Sequence, residues 1–153
     1  MARRSQRAQT LWISLKPHLF SRATSPVEHV HALDLQSLTA VEVSFFVARE
    51  DNKLLGVGAL RDLGDSRAEI KSMHTASIAR GRGVGRRMLL HIISTARDRS
   101  ITWLGLETGS MIEFGPARNL YESVGFVECE PFDRYIRNTY STCMSMRLDT
   151  VTP

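Results

Sequence analysis

The chain has 153 residues, 42% of them hydrophobic and 24% charged, with a formal net charge of +4. That length suits one domain burying roughly two thirds of the surface its unfolded form exposes. Part of the positive excess sits in Arg3, Arg4 and Arg7, so the balance fits an anionic ligand without requiring nucleic acid. Cys129 and Cys143 alone cannot make a disulfide scaffold, and no His/Cys cluster has zinc spacing. No apolar run approaches the ~20 residues of a transmembrane helix. The default expectation is a cytoplasmic protein that needs no metal and no membrane.

Residues 1–10 read as a basic, disordered leader, and 11–150 as a single domain. Residues 6–23 carry a helical apolar pattern interrupted by Pro17, and Ser25-Pro26 precedes a second short helix through Val27, Val30 and Leu33. From Val41 the pattern changes. Val41 to Ala48 is rich in β-branched and aromatic residues and predicts a strand; Glu50 to Lys53 is its turn, and Leu54 to Leu60 the partner strand. Gly56 and Gly58 there signal close packing or a bulge. Leu63 to Ser66 turns the chain again, and Ala68 to Thr75 predicts a third strand.

Val84, Met88, Leu89, Ile92, Ile93 and Ala96 then recur at helical spacing. Thr102 to Glu107 predicts a buried strand and Thr108 to Ser110 a turn. Pro116 suits the first turn of a helix that Gly125 stops. Phe126 to Cys129 and Cys143 to Leu148 predict two final strands around the polar loop Glu130 to Thr142. The order implies an α+β domain with a mixed central sheet, its strand–helix–strand unit parallel.

Between the third strand and the long helix lies Arg80-Gly81-Arg82-Gly83-Val84-Gly85. Its glycines let the backbone turn tightly and approach a ligand, and the helix start behind it offers unpaired N–H groups to phosphate oxygens. A Walker loop is excluded, because no Lys-Ser or Lys-Thr follows. A dinucleotide fingerprint fits poorly: Arg86 stands where the third glycine belongs, and a meander precedes the loop.

The pattern Arg/Gln-x-x-Gly-x-Gly/Ala fits every fixed position, and here the chain resembles the GNAT superfamily of acyl-CoA-dependent N-acetyltransferases. Ala117-Arg118-Asn119-Leu120-Tyr121-Glu122-Ser123-Val124-Gly125-Phe126 looks like that family's Ala-x-x-Leu-Tyr-x-x-x-Gly-Phe segment. Ser25-Pro26, His31-Ala32-Leu33, Glu69 to Met73, Leu106 to Met111 and Glu130-Pro131-Phe132 are similar to the small bacterial YsnE-like group. The likeness runs from about Ser25 to Leu148. Such a domain usually opens with a strand; here a leader and helix stand in its place, so the first strand is expected to be missing or replaced. Tyr135 to Thr142 departs from the group's pattern, so acceptor contacts there are expected to differ.

The resemblance implies acetyl transfer from acetyl-CoA to a primary amine of a small molecule or protein, with no metal. It implies that Arg80, Gly81, Arg82, Gly83, Val84 and Gly85 hold the pyrophosphate. Backbone groups of Met73, His74 and Thr75 would pair with the pantetheine arm, joined by Asn119. Tyr121 corresponds to the family's general acid. Glu69 is the first candidate for the base, with Glu107 its competitor, and Phe132, Tyr135 and Met111 are candidates to line the acceptor site. Two other functions stay open: a GNAT-fold module that binds acyl-CoA without turnover, and nucleic-acid binding through the basic leader and the loop arginines, the less favoured of the two. An exposed sheet edge leaves room for a homodimer.

Overall fold

A computed structural model describes residues 43–148. The expectations for the leader, the early helices and the missing first strand lie outside that range. Six strands form one sheet in the order β1-β2-β3-β4-β6-β5. They are β1 (Val43–Glu50), β2 (Lys53–Gly64), β3 (Arg67–Thr75), β4 (Trp103–Gly109), β5 (Val127–Cys129) and β6 (Ser141–Arg147). Helix α1 (Val84–Asp98) links β3 to β4, and α2 (Gly115–Ser123) leads from β4 towards β5. The β3–β4 ladder is parallel and the other four are antiparallel, so the sheet is mixed as predicted.

Two-residue turns make the meander. Asp51 and Asn52 (φ 48° and 64°) join β1 to β2, and Asp65 and Ser66 (φ 54° and 60°) join β2 to β3. Positive φ at both central positions matches the twist of antiparallel strands, and Asp and Asn tolerate it. The predicted turn at Leu63–Ser66 is therefore shorter: β2 runs on to Gly64. In the same way β4 extends through Thr108 to Gly109, because both residues pair with β6, Thr108 with Thr142 and Gly109 with Ser141. That pairing also starts β6 at Ser141, two residues earlier than expected.

The sheet's core face carries Leu60, Ile70, Leu104, Leu106 and Met144, packed against Met88, Leu89, Ile92 and Ile93 of α1. These α1 positions recur at three- and four-residue spacing, so the helix forms by burying one stripe. At Gly58 a Cβ would lie 2.8 Å from both Ile92 Cδ1 and Met73 Sδ, so β2 needs glycine where α1 crosses it. The expected bulge is here, but its extra residue is on β3. Ser72 and Met73 together oppose Gly58, with Ser72 at φ 57°.

That bulge positions the site. A bulge bends its strand, and the β3–β4 ladder ends at Ile70↔Leu106, just before it. Beyond this point β3 continues to Thr75 along β2, while β4 continues to Gly109 along β6. The two central parallel strands part at their C-terminal ends, the side on which open sheets with parallel crossovers take ligands.

Candidate active site

The glycine loop follows directly from the end of β3. After a single 3-10 turn, Ser77–Ala79, the chain passes through Gly81 at φ 76° and Gly83 at φ 77°, and Gly83 is the N-cap of α1. Both glycines need the left-handed conformation, and no atom lies within 4 Å of where a Cβ on either would stand. The space above the loop is open. The cap has no side-chain hydrogen bond and the first turn no acidic residue, so the first N–H groups of α1 present a positive end to an anion. The backbone fits a pyrophosphate.

The side chains of the loop contribute less. Arg82 Nη2 donates to Glu50 Oε2 at 2.6 Å, drawing its guanidinium towards β1 and holding the Glu50 carboxyl below its usual range. Arg86 Nη1 donates to Ser123 Oγ at 3.0 Å. Arg80 is exposed. Gly85 has a different reason to be glycine: a Cβ there would meet Thr75 Oγ1 at 3.3 Å and Leu120 Cδ2 at 3.5 Å. Small size at Gly85 thus brings β3, the loop and α2 together.

Helix α2 starts with Pro116 in its first turn and carries Asn119 and Tyr121. Two residues apart on a helix, they face different ways: Asn119 is exposed, whereas Tyr121 is only 7% exposed and stacks edge-on against Phe126 at 5.9 Å. Burial pushes the Tyr121 phenol up to about 12. It therefore stays protonated and can serve as a hydrogen-bond donor.

Opposed residues on neighbouring strands share a face. Arg61, Glu69 and Gly105 form one row across β2, β3 and β4, and Glu107 lies two residues along β4 on the same side. Glu69 is 1% exposed. It accepts a hydrogen bond from Tyr135 Oη on Oε1, while Oε2 faces Arg61 Nε at 3.4 Å and Lys71 Nζ at 3.8 Å. Arg61 also pairs with Asp133. Burial raises the Glu69 carboxyl above its ordinary value, against the pull of Lys71, the Tyr135 hydrogen bond and Arg61. Burial likewise lowers Lys71 and raises Tyr135, which the Glu69 charge raises further.

The segment 130–140 covers this face. Phe132 packs edge-on against Trp103 at 5.1 Å and Tyr135 at 5.2 Å, and a Cβ at Gly105 would lie 2.8 Å from Phe132 Cζ. Of the residues expected at the acceptor site, Tyr135 reaches the Glu69 carboxylate and Phe132 packs beside Tyr135. Met111 caps the 3-10 turn that leads into α2, and its carbonyl accepts from Arg118 Nη1 at 2.9 Å. Sequence reasoning missed Arg61, Lys71 and Asp133, because nothing in their spacing marks them. Only strand register and a loop closing over 66 positions place Tyr135 on Glu69.

Glu107 is pushed up to about 8, first by burial and then by the Glu69 charge, with Lys71 opposing. An acid whose folded value lies above its unfolded value binds its proton more tightly when folded, so ionising it favours the unfolded chain. Stability should therefore fall as pH rises from about 5 to 8, and Glu107→Gln should flatten that slope. Thermal melts across this range check it; an identical slope in the variant would contradict it.

Comparison with known proteins agrees with this geometry. Residues 42–128 match the family described as "Acetyltransferase (GNAT) domain". The chain is 46% identical over 132 residues to the uncharacterized N-acetyltransferase YsnE of Bacillus subtilis, covering 86% of this chain and 87% of that one. Among solved structures, the ribosomal-protein-S18-alanine N-acetyltransferase of Escherichia coli superposes with a TM-score of 0.64 at 21% identity, over 78% of this chain and 79% of that one. A GNAT family acetyltransferase of Elizabethkingia anophelis with acetyl-CoA bound gives 0.60 at 20% identity, over 70% and 77%. At these identities the two structures speak for the fold, and the family match and the sequence relative for membership. The chain belongs to the GNAT family of acetyltransferases.

Proposed function

We propose that the protein transfers an acetyl group from acetyl-CoA to a primary amine by direct attack, with both substrates bound together. The observation that carries this reading is one continuous arrangement. An open, left-handed glycine loop at the start of α1 adjoins two parted parallel strands. A buried carboxylate lies on one of those strands, and a buried tyrosine lies on the helix docked against the loop.

In this reading the backbone amides from Arg82 to Gly85 hold the pyrophosphate, with Arg80 and Gly81 shaping the approach. Main-chain groups of Met73, His74 and Thr75 pair with the pantetheine arm as an added strand would, and an amide of the same strand steadies the carbonyl oxygen. Asn119 adds a polar contact to that arm. The ammonium of the acceptor gives its proton to Glu69 through a water. The free amine then forms the C–N bond as the C–S bond breaks, and the nitrogen's surplus proton passes to the departing thiolate, leaving the amide and the coenzyme A thiol.

Tyr121 donates its hydroxyl hydrogen bond to the departing sulfur. A phenol at about 12 is a weak acid beside a thiol of ordinary pKa near 8.5, so the tyrosine supports the thiolate as charge develops and does not transfer its proton beforehand.

Release of the coenzyme A thiol, followed against a panel of primary amines, tests the reading. Amine-dependent release with at least one acceptor class is the expected result. Saturable coenzyme binding with no release across the panel would instead make the chain a binding module. Glu69→Gln keeps an acceptor for the Tyr135 hydroxyl and should lower kcat on the order of 10²-fold with acetyl-CoA affinity kept. If Glu69→Gln stays active and Glu107→Gln carries the loss, the base is Glu107.

A further inference from the structure

The chain's two cysteines stand directly opposite each other. Cys129, the last residue of β5, pairs with Cys143 of β6 in an antiparallel ladder. Opposed residues in such a ladder have Cα atoms about 4.5–5.5 Å apart and side chains on one face, and a disulfide takes Cα separations of about 4.4–6.8 Å. The register meets the Cα requirement, and closing the bond asks only for the two side chains to draw together on their shared face. Cys143 is also opposite Glu107 on β4, so Glu107, Cys143 and Cys129 form a single row. The residues between the two cysteines are those that carry Phe132, Asp133 and Tyr135 over Glu69 and Arg61. The Phe132 backbone lies beside Cys143 and works against burial to lower that thiol.

We propose that Cys129 and Cys143 are a modification site: a reversible cross-strand disulfide that ties the two ends of the segment 130–142 together beside the candidate active site. The oxidant is a low-molecular-weight disulfide. Cys129 is half-buried and Cys143 buried, so exchange begins at Cys129. Its thiolate attacks the small disulfide, forms a mixed disulfide and expels one small thiol. The Cys143 thiolate then attacks the Cys129 sulfur and expels the second. Two electrons pass from the protein to the small disulfide, and the two protein thiol protons end on the two small thiols.

Burial pushes the Cys143 thiol up to about 11, with the charges of Glu107 and Cys129 adding to it. The second step therefore depends on a scarce thiolate and should speed up about tenfold per pH unit between roughly pH 7 and 9.

The full chain, treated with oxidised glutathione and mapped by non-reducing peptide mass spectrometry, decides the matter. The expected product is a monomer with Cys129 joined to Cys143 and no free thiol, restored by dithiothreitol, forming faster at pH 9 than at pH 7. Arrest as a glutathione adduct of Cys129 at pH 9, linkage between chains, or two thiols still free would each overturn the proposal. Cys129→Ser should leave Cys143 unmodified over the same period, and glutathione addition to Cys143 at the wild-type rate would overturn the order of attack. A second readout rests on the acetyl-transfer reading: crosslinked protein should show altered kcat with acetyl-CoA affinity retained. Crosslinking without turnover in either redox form would count against acetyl transfer and leave the site standing; unchanged turnover in crosslinked, active protein would overturn the coupling of this site to the reaction.

Discussion

Gly83→Glu is expected to abolish acetyl-CoA binding while leaving the fold intact. Gly83 sits at φ 77° as the N-cap of α1, with nothing within 4 Å of a Cβ placed on it. Since no protein atom occupies that space, a longer side chain displaces no packing. The left-handed conformation costs a non-glycine residue about 1–2 kcal/mol, a loss the domain should survive. The bound ligand would suffer far more. The side chain would rise into the space proposed for the pyrophosphate and bring a negative charge against it at the positive end of the helix. A loss of roughly 3 kcal/mol or more, at least a hundredfold in Kd, is expected in a calorimetric titration. Gly83→Ala separates the causes, since it keeps the strain and omits the charge; it should weaken binding by a smaller factor. Near-native affinity in Gly83→Glu would remove the loop from the coenzyme site.

Tyr121→Phe should lower kcat by about 10²-fold and leave the KM for acetyl-CoA nearly unchanged. The ring is 7% exposed and packed edge-on against Phe126, and phenylalanine keeps both the packing and the volume. What is lost is one hydroxyl whose acidity burial has already weakened. Its contribution is realised only when negative charge appears on sulfur, so the loss should fall on kcat and kcat/KM together. A pre-steady-state burst unchanged in the variant, with equal steady-state rates, would show that the hydroxyl takes no part in the chemical step.

The sequence made legible those features that a residue type alone can report. A glycine loop before an amphipathic run is visible because only glycine adopts φ near +77° without strain, and because the buried stripe of α1 repeats every three to four residues. Asp51-Asn52 and Asp65-Ser66 read as turns because Asp and Asn tolerate positive φ at little cost. Strand ends differ from expectation where pairing overrides turn propensity: Thr108 and Gly109 look like turn residues, yet the ladder with β6 keeps them extended, and Gly64 pairs with Arg67 while keeping a turn-like φ of 81°.

Features that depend on register left no such mark. The bulge at Ser72 puts an unexceptional serine at positive φ. Arg61 joins Glu69 because eight residues of hairpin bring them opposite, and Tyr135 joins them through loop closure. The cysteine pair belongs to this second kind: its meaning lies in which residue faces which across β5 and β6.

The most direct test of the central claim is a titration of the wild-type protein with acetyl-CoA by calorimetry. The geometry of the glycine loop and the parted strands predicts saturable binding of one molecule per chain, lost in Gly83→Glu and retained in Tyr121→Phe. Absence of saturable heat in the folded wild-type protein, or equal binding by all three proteins, would contradict it.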